Sequence, residues 1–263
     1  MHKDEKYPGK MNVTTFISGG EINTKAPDAV TLLKTEEGYA LATAYRNAIW
    51  YRAPIGGILK GRHAHVWPDD GGEFFRGEVL LRGLLERFGY HIRFTKPQGD
   101  VKTPILMIAR SDNALVFSTY APSTTVETHL KFPLGAPLLL GYETELRDGW
   151  SSYHFPRAEH KECRVYIQQE GGIVRAFEDT HSSFKFRRRI AVEGLQNATV
   201  RVFGESYCAD QVVGMLNSRK NGCRLSEEFD GGIVHSEEYG TYFEARNVTG
   251  EMRFLMPYPQ FTD

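Results

Sequence analysis

Two histidines separated by one residue, His63 and His65, lie in the densest polar cluster of the chain, Arg62-His-Ala-His-Val-Trp-Pro-Asp-Asp-Gly-Gly-Glu73. Side chains alternate across an extended backbone, so residues at i and i+2 face the same side. Two imidazoles presented in that way suit two-nitrogen ligation of a divalent metal, and Asp70 is placed to add a carboxylate. The competing reading of the same residues is a surface loop anchored by Trp67. The metal expectation is confined to His63, His65 and Asp70, and no other cofactor is indicated.

A second group, Tyr153-His-Phe-Pro-Arg-Ala-Glu-His-Lys-Glu-Cys163, contains His154, His160 and Cys163. A thiol beside an imidazole is the material of a nucleophilic pair. Cys163, however, opens an alternating apolar run, so its sulfur is expected in the core. The chain contains no Gly-x-Ser-x-Gly elbow, phosphate-binding loop or dinucleotide fingerprint. Hydrolysis by paired carboxylates needs two acids about 5 to 10 Å apart, and spacing names no such pair. Catalytic residues are therefore not assigned.

Aromatic side chains are the remaining lever. Trp50, Trp67 and Trp150, with Tyr45, Tyr51, Tyr142 and Tyr153, lie in or beside turns. There a flat ring can stack on the apolar face of a sugar or pack in the core or at a domain junction. Trp67, Trp150, Tyr153 and His154 are the residues expected to meet a ligand, and the expected ligand is a carbohydrate.

The elements that must position these residues follow from periodicity. In Glu162-Cys-Arg-Val-Tyr-Ile-Gln-Gln-Glu-Gly-Gly-Ile-Val-Arg-Ala-Phe-Glu178 both arms alternate apolar and polar residues around a Glu170-Gly171-Gly172 corner, the pattern of a β-hairpin. Short alternating runs divided by turn residues continue from about Val101 to the C-terminus, and others occupy Ala29 to Tyr51. One helix is expected at about 73–89, where Phe75, Val79, Leu80, Leu84, Leu85 and Phe88 recur at intervals of three and four before Gly89. Tyr90 to Phe94 then alternates as a strand that closes an α/β unit. The fold expected is mainly β, an antiparallel β-sandwich over 99–263 preceded by a small α/β segment over 1–98.

With 263 residues the chain is long enough for one large or two modest domains. Its 32 Lys and Arg residues offset 33 Asp and Glu residues, so the near-neutral charge argues against a nucleic-acid or anionic-membrane partner. The run Arg187-Arg188-Arg189 is expected to be mainly a solvated strand edge, with phosphate binding as the lesser reading. Three cysteines match no zinc or redox spacing, and the first ten residues lack the apolar core of a leader. The expected location is the cytoplasm.

Two resemblances can be drawn. The spacing from Gly57 through His63, His65 and Asp70 to Gly77 is similar to the first metal motif of the cupins, with Asp70 where that motif carries glutamate and a helix where its next strand would begin. More broadly, strands ending at Tyr45-Arg-Asn-Ala-Ile-Trp50, a Gly-rich loop, the helix Gly77-Glu-Val-Leu-Leu-Arg-Gly-Leu-Leu-Glu-Arg-Phe-Gly89 and a following β-sandwich resemble the non-catalytic C-terminal region of family-42-type β-galactosidases. The similarity covers about residues 29 to 100. It implies an accessory or carbohydrate-recognising protein that forms a homo-oligomer or works beside a partner catalytic domain. It supplies no catalytic residue, because the barrel that bears the acid pair has no counterpart here. The competing functions are a metal-dependent enzyme built on His63 and His65, and a structural oligomerisation module.

Overall fold

The computed structural model describes residues 28–34, 37–52, 82–95, 105–120, 127–155, 158–179, 186–216 and 229–257. Trp67, His63, His65, Asp70, Cys223 and the first part of the expected helix, 73–81, lie outside the described residues. The chain divides into two units, Glu5–Tyr90 with Gly99–Lys102, and Met1–Asp4 with His91–Gln98 and Thr103–Asp263.

In the first unit, β1 (Val30–Lys34), β2 (Ala40–Tyr45) and β3 (Ala48–Tyr51) form an antiparallel meander. Ala42 and Ala44 are buried on one face, where Leu84 packs with Leu32, Leu33, Ile49 and Tyr51. Leu84 belongs to a helical turn over residues 82–86, the described part of the expected helix. Gly89 ends that turn at φ 80°, a conformation that glycine takes without a Cβ clash. Among the described residues the strands of this unit pair only antiparallel, so a parallel α/β arrangement is not seen.

The strand expected to close an α/β unit belongs to the second unit instead. It is β4 (His91–Thr95), and it pairs with β7 (Glu127–Lys131). Alternation buries its Ile92 and Phe94, but alternation does not say which strand lies alongside.

The second unit is an antiparallel sheet of thirteen strands that curls onto itself. Its remaining strands are β5 (Ile105–Ser111), β6 (Ala114–Tyr120), β8 (Ala136–Leu139), β9 (Tyr142–Arg147), β10 (Trp150–His154), β11 (Ala158–Gln168), β12 (Gly171–Glu178), β13 (Phe186–Val202), β14 (Val213–Leu216), β15 (Asp230–Ser236) and β16 (Gly240–Pro257). The first half of β13 pairs with β12 and the second half with β11, while β16 follows β13 along its length. Register shifts between Glu193 and Val200 mark where both strands bend. One layer therefore runs β4-β7-β10-β9-β12 into β13, and the other contains β5, β6, β8, β11 and β15. An apolar core draws on both, with Leu146, Val174 and Ile190 from one and Leu138, Ile167 and Val200 from the other. Full burial of each such side chain contributes about 1.5–3 kcal/mol.

The expected hairpin is not formed. β11 and β12 do not pair with each other; each pairs with a different half of β13, so the corner between them is an arch. Gln169 holds that corner, donating to the carbonyls of Gly171 (2.8 Å) and Gly194 (3.3 Å) and accepting from the Gln196 amide (2.9 Å). Gly194 is required there, since it has φ 81° and an added Cβ would stand 2.1 Å from the Ile173 carbonyl oxygen.

Arg188 and Arg189 of the arginine run are also not at a solvated edge. Arg188 and Arg189 sit in β13, an interior strand, with side chains 14% and 11% exposed and bonded to acids on neighbouring segments. Arg188 meets Glu162 and Glu178, and Arg189 meets Asp179. Among the described residues no helix is long and apolar enough to cross a membrane.

Candidate functional site

The outer face of the first layer carries the chemistry. Along β4, β7, β10 and β9 one parity is buried, with Ile92, Phe94, Thr128, Leu130, Ser151, Tyr153, Thr144 and Leu146 turned inward. The other parity presents His91, Arg93 and Thr95 on β4, Glu127, His129 and Lys131 on β7, Trp150, Ser152 and His154 on β10, and Glu145 and Arg147 on β9. Register aligns these into rows. Arg93 is opposite His129, His129 opposite Ser152, and Ser152 opposite Glu145. On one side of that row His91 is opposite Lys131 and Trp150 opposite Arg147; on the other, His154 is opposite Glu127.

His129 is held at both ring nitrogens. Nδ1 lies 2.8 Å from Ser152 Oγ and Nε2 lies 2.6 Å from Thr95 Oγ1, with Glu127 Oε2 at 3.9 Å from Nε2. A neutral imidazole donates from one nitrogen and accepts at the other, so the three strands share one continuous hydrogen-bond path. Two further histidines pair with hydroxyls directly across a ladder, His160 with Ser118 (2.7 Å) and His235 with Thr241 (3.1 Å). The recurrence marks the Ser–His contact first as a cross-strand pair. In those two the contact is at Nδ1, whereas His129 bridges three strands.

Trp150 is the aromatic member of the face. It is half-buried, with the Arg93 guanidinium carbon 4.8 Å from the centre of its ring and the His91 ring 5.8 Å away at 55°. Lys131 Nζ donates to the Asp148 carbonyl (3.2 Å) at the β9–β10 turn, and Arg147 pairs with Glu145 at 2.9 Å. An indole ringed by donors is suited to a ligand that is apolar on one face and hydroxylated or charged at its edges.

The sequence-predicted residues divide across this strand. Trp150 and exposed His154 lie on the outer face, as i, i+4 neighbours on β10 must. Tyr153 has the opposite parity and is in the core, 2% exposed. Its hydroxyl donates to the Pro137 carbonyl (2.6 Å) and accepts from the Leu139 amide (3.1 Å) and Thr144 Oγ1 (3.3 Å), and burial pushes the phenol far above its usual range. Tyr153 thus anchors the layer from beneath and offers a ligand nothing. Cys163 is fully buried, and desolvation pushes its thiol up to about 12, so it is the packed thiol that its apolar run implies. Tyr142 lies against Tyr153 and Phe155, where burial and then Glu159 push its phenol up to about 12. Trp50 and Tyr45 are exposed on the small sheet of the first unit.

Among the described residues no group of three His, Cys, Asp or Glu side chains could hold a metal ion. The expected ligands His63, His65 and Asp70, and the expected contact Trp67, lie outside the described residues. Sequence reasoning missed Arg93, His129, Lys131 and Ser152. The signal was present in the alternating strings His91-Ile-Arg-Phe-Thr95, Glu127-Thr-His-Leu-Lys131 and Trp150-Ser-Ser-Tyr-His154, which fix parity but not adjacency.

Comparison with protein-family models, with curated proteins and with solved structures returns no match.

Proposed function

We propose that the protein is a carbohydrate-recognition module whose ligand lies across the outer face of β4, β7, β10 and β9. The observation that carries this reading is Trp150, a half-buried indole on a sheet face otherwise lined by hydrogen-bonding side chains. Buried apolar rings need no such surroundings, whereas a saccharide needs both an aromatic platform and donors and acceptors at its rim. Ser152, His129 and Thr95 supply the hydroxyl and imidazole groups, and His154 and Glu127 extend the polar surface along the strands. A kinship with the non-catalytic C-terminal region of family-42-type β-galactosidases remains part of the proposal on the order of sequence elements alone. In that role the module would serve a catalytic domain elsewhere or assemble with copies of itself.

The test is titration of the full chain with neutral and acidic oligosaccharides, followed by calorimetry. Trp150→Ala should weaken binding at least tenfold while the far-UV and near-UV spectra keep the shape of a folded β protein. Saccharide binding that survives Trp150→Ala unchanged would move the site off this face.

A further inference from the structure

The row that contains Trp150 has an unusual charge pattern. Elsewhere in the second unit cross-strand arginines meet acids. Arg201 is opposite Glu244 and bonded to it at 2.7 Å, Arg188 bonds Glu162 and Glu178, and Arg253 bonds Asp179 and Glu251. Along the Trp150 row, His91 is opposite Lys131, the next position on β10 is Trp150, and Arg147 is opposite Trp150 on the far side. Beyond Arg147 the row reaches Gly171. No carboxylate occupies the row, and Arg93 leans in from the next one to lie on the indole. Lys131 and Arg147 thus flank Trp150 on either side, and the indole lies among three permanent cations. The chain as a whole carries a net charge of -1, so the cluster is not the local expression of a basic protein.

The three permanent cations are placed for a ligand to use. Lys131 is steadied by the Asp148 carbonyl at 3.2 Å and lies beside Gly149, where an added Cβ would come 3.5 Å from Nζ. Arg147 holds Glu145, but the two side chains are 78% and 59% exposed. A pair so solvated is weak, and a ligand carboxylate can replace Glu145 at little cost. A guanidinium stacked on an aromatic ring keeps its in-plane N–H donors for a carboxylate, which it binds in a two-pronged geometry.

We infer that the ligand of this face is an acidic saccharide, a chain of uronate residues whose carboxylates are read by Arg93, Lys131 and Arg147 while a sugar ring rests on Trp150. The inference rests on the recognition reading above and names its ligand class. A neutral saccharide would use the indole and bring no charge to meet the cations around it.

The experiment compares three probes on the full chain by calorimetry at low and moderate salt. They are galacturonate oligosaccharides, neutral galactose oligosaccharides of the same length, and polyglutamate, which has the charge without the ring. Galacturonate should bind at least tenfold more tightly than the neutral oligomer and than polyglutamate, with the advantage shrinking as salt rises. In the Lys131→Gln/Arg147→Gln variant the ratio of acidic to neutral affinity should fall towards one. Arg147→Gln alone, a change at a highly exposed side chain, gives the same reading if the double variant is unstable. Equal affinity for acidic and neutral oligomers in the unaltered protein overturns the acidic class and leaves saccharide recognition standing. Polyglutamate binding as tight as galacturonate, or a ratio unchanged in both variants, overturns it as well. Failure of every saccharide removes both readings together.

Discussion

Arg188 and Glu162 meet two nitrogens to two oxygens, at 3.1 and 3.0 Å, in a part-buried contact between β13 and β11. Arg188 makes a second two-pronged contact with Glu178 at 3.0 and 3.0 Å, and Glu162 also receives Arg164. Arg164 is itself 5% exposed and donates to the carbonyls of Asp112 and Gly204 at 3.0 Å each. The result ties the β5–β6 turn, β11, β12 and β13 to one set of charges.

That set predicts acid lability. Burial by itself would raise the Glu162 carboxyl, but the Arg188 hydrogen bond and the charges of Arg164 and Arg188 outweigh it and hold the group below the usual carboxylate range. A carboxyl depressed in the folded state gives stability that is complete above the unfolded value, about 4.3, and is lost as pH falls through the folded value. Asp112, lowered by its Ser206 hydrogen bond, and Glu244, where Arg201 and Arg246 outweigh burial, act in the same direction. Urea midpoints should therefore drop mainly below about pH 4.3. Glu162→Gln should lower stability at pH 7 by about 2 kcal/mol and flatten that acid slope. A midpoint indifferent to pH across this window would contradict the assignment.

Gly194→Ala tests the arch between β11 and β12. The new methyl would meet the Ile173 carbonyl in a backbone conformation already costly for any residue with a Cβ. A loss of about 3 kcal/mol is expected from strain and displacement together. A thermal melt within a degree of the parent would show that the corner is built differently.

Tyr153→Phe separates anchoring from recognition. Removing the hydroxyl strands the Pro137 carbonyl and the Leu139 amide in the core, at a cost of about 1–3 kcal/mol. Saccharide affinity at a temperature where both proteins are folded should be unchanged. Weakened binding without weakened stability would return Tyr153 to the ligand surface.

Cys163 should resist alkylation in the native protein. Its thiolate is suppressed by burial, so peptide mapping after brief maleimide treatment should find it unmodified until denaturant is added. Rapid native labelling at this peptide would argue for an accessible nucleophile.

Much of the strand inventory could be read from alternation, because burying one side of a sheet dictates the sequence with period two. The errors lie where two arrangements share that period. Val165 and Ile167, and Val174 and Ala176, are buried whether β11 and β12 form a hairpin or an arch, and only Gln169 and Gly194 distinguish them. The runs around Phe186–Val202 and Gly240–Pro257 suggest pairs of strands because Gly194, Asn197, Asn247 and Gly250 interrupt the alternation. They are bends within single strands, each of these residues having positive φ. For the candidate site, Trp150 and His154 were accessible as chemistry-bearing residue types. Arg93, His129 and Ser152 were not, since they become neighbours through registers linking segments far apart in sequence. Tyr153 shows the simplest limit: beside His154 on a strand, it had to face the other way.

β13 depends on β16 along almost its whole length, from Phe186 opposite Pro257 to Val202 opposite Phe243. A ribosome delivers the two about forty residues apart, and until residues 240–257 emerge the nascent chain holds β13 with one flank empty and its apolar residues uncovered. That interval is when the polypeptide is most exposed to wrong partners and most in need of a chaperone's hold. Silent codon changes that slow translation between β13 and β16 should then lower the soluble yield without altering a single residue of the finished protein.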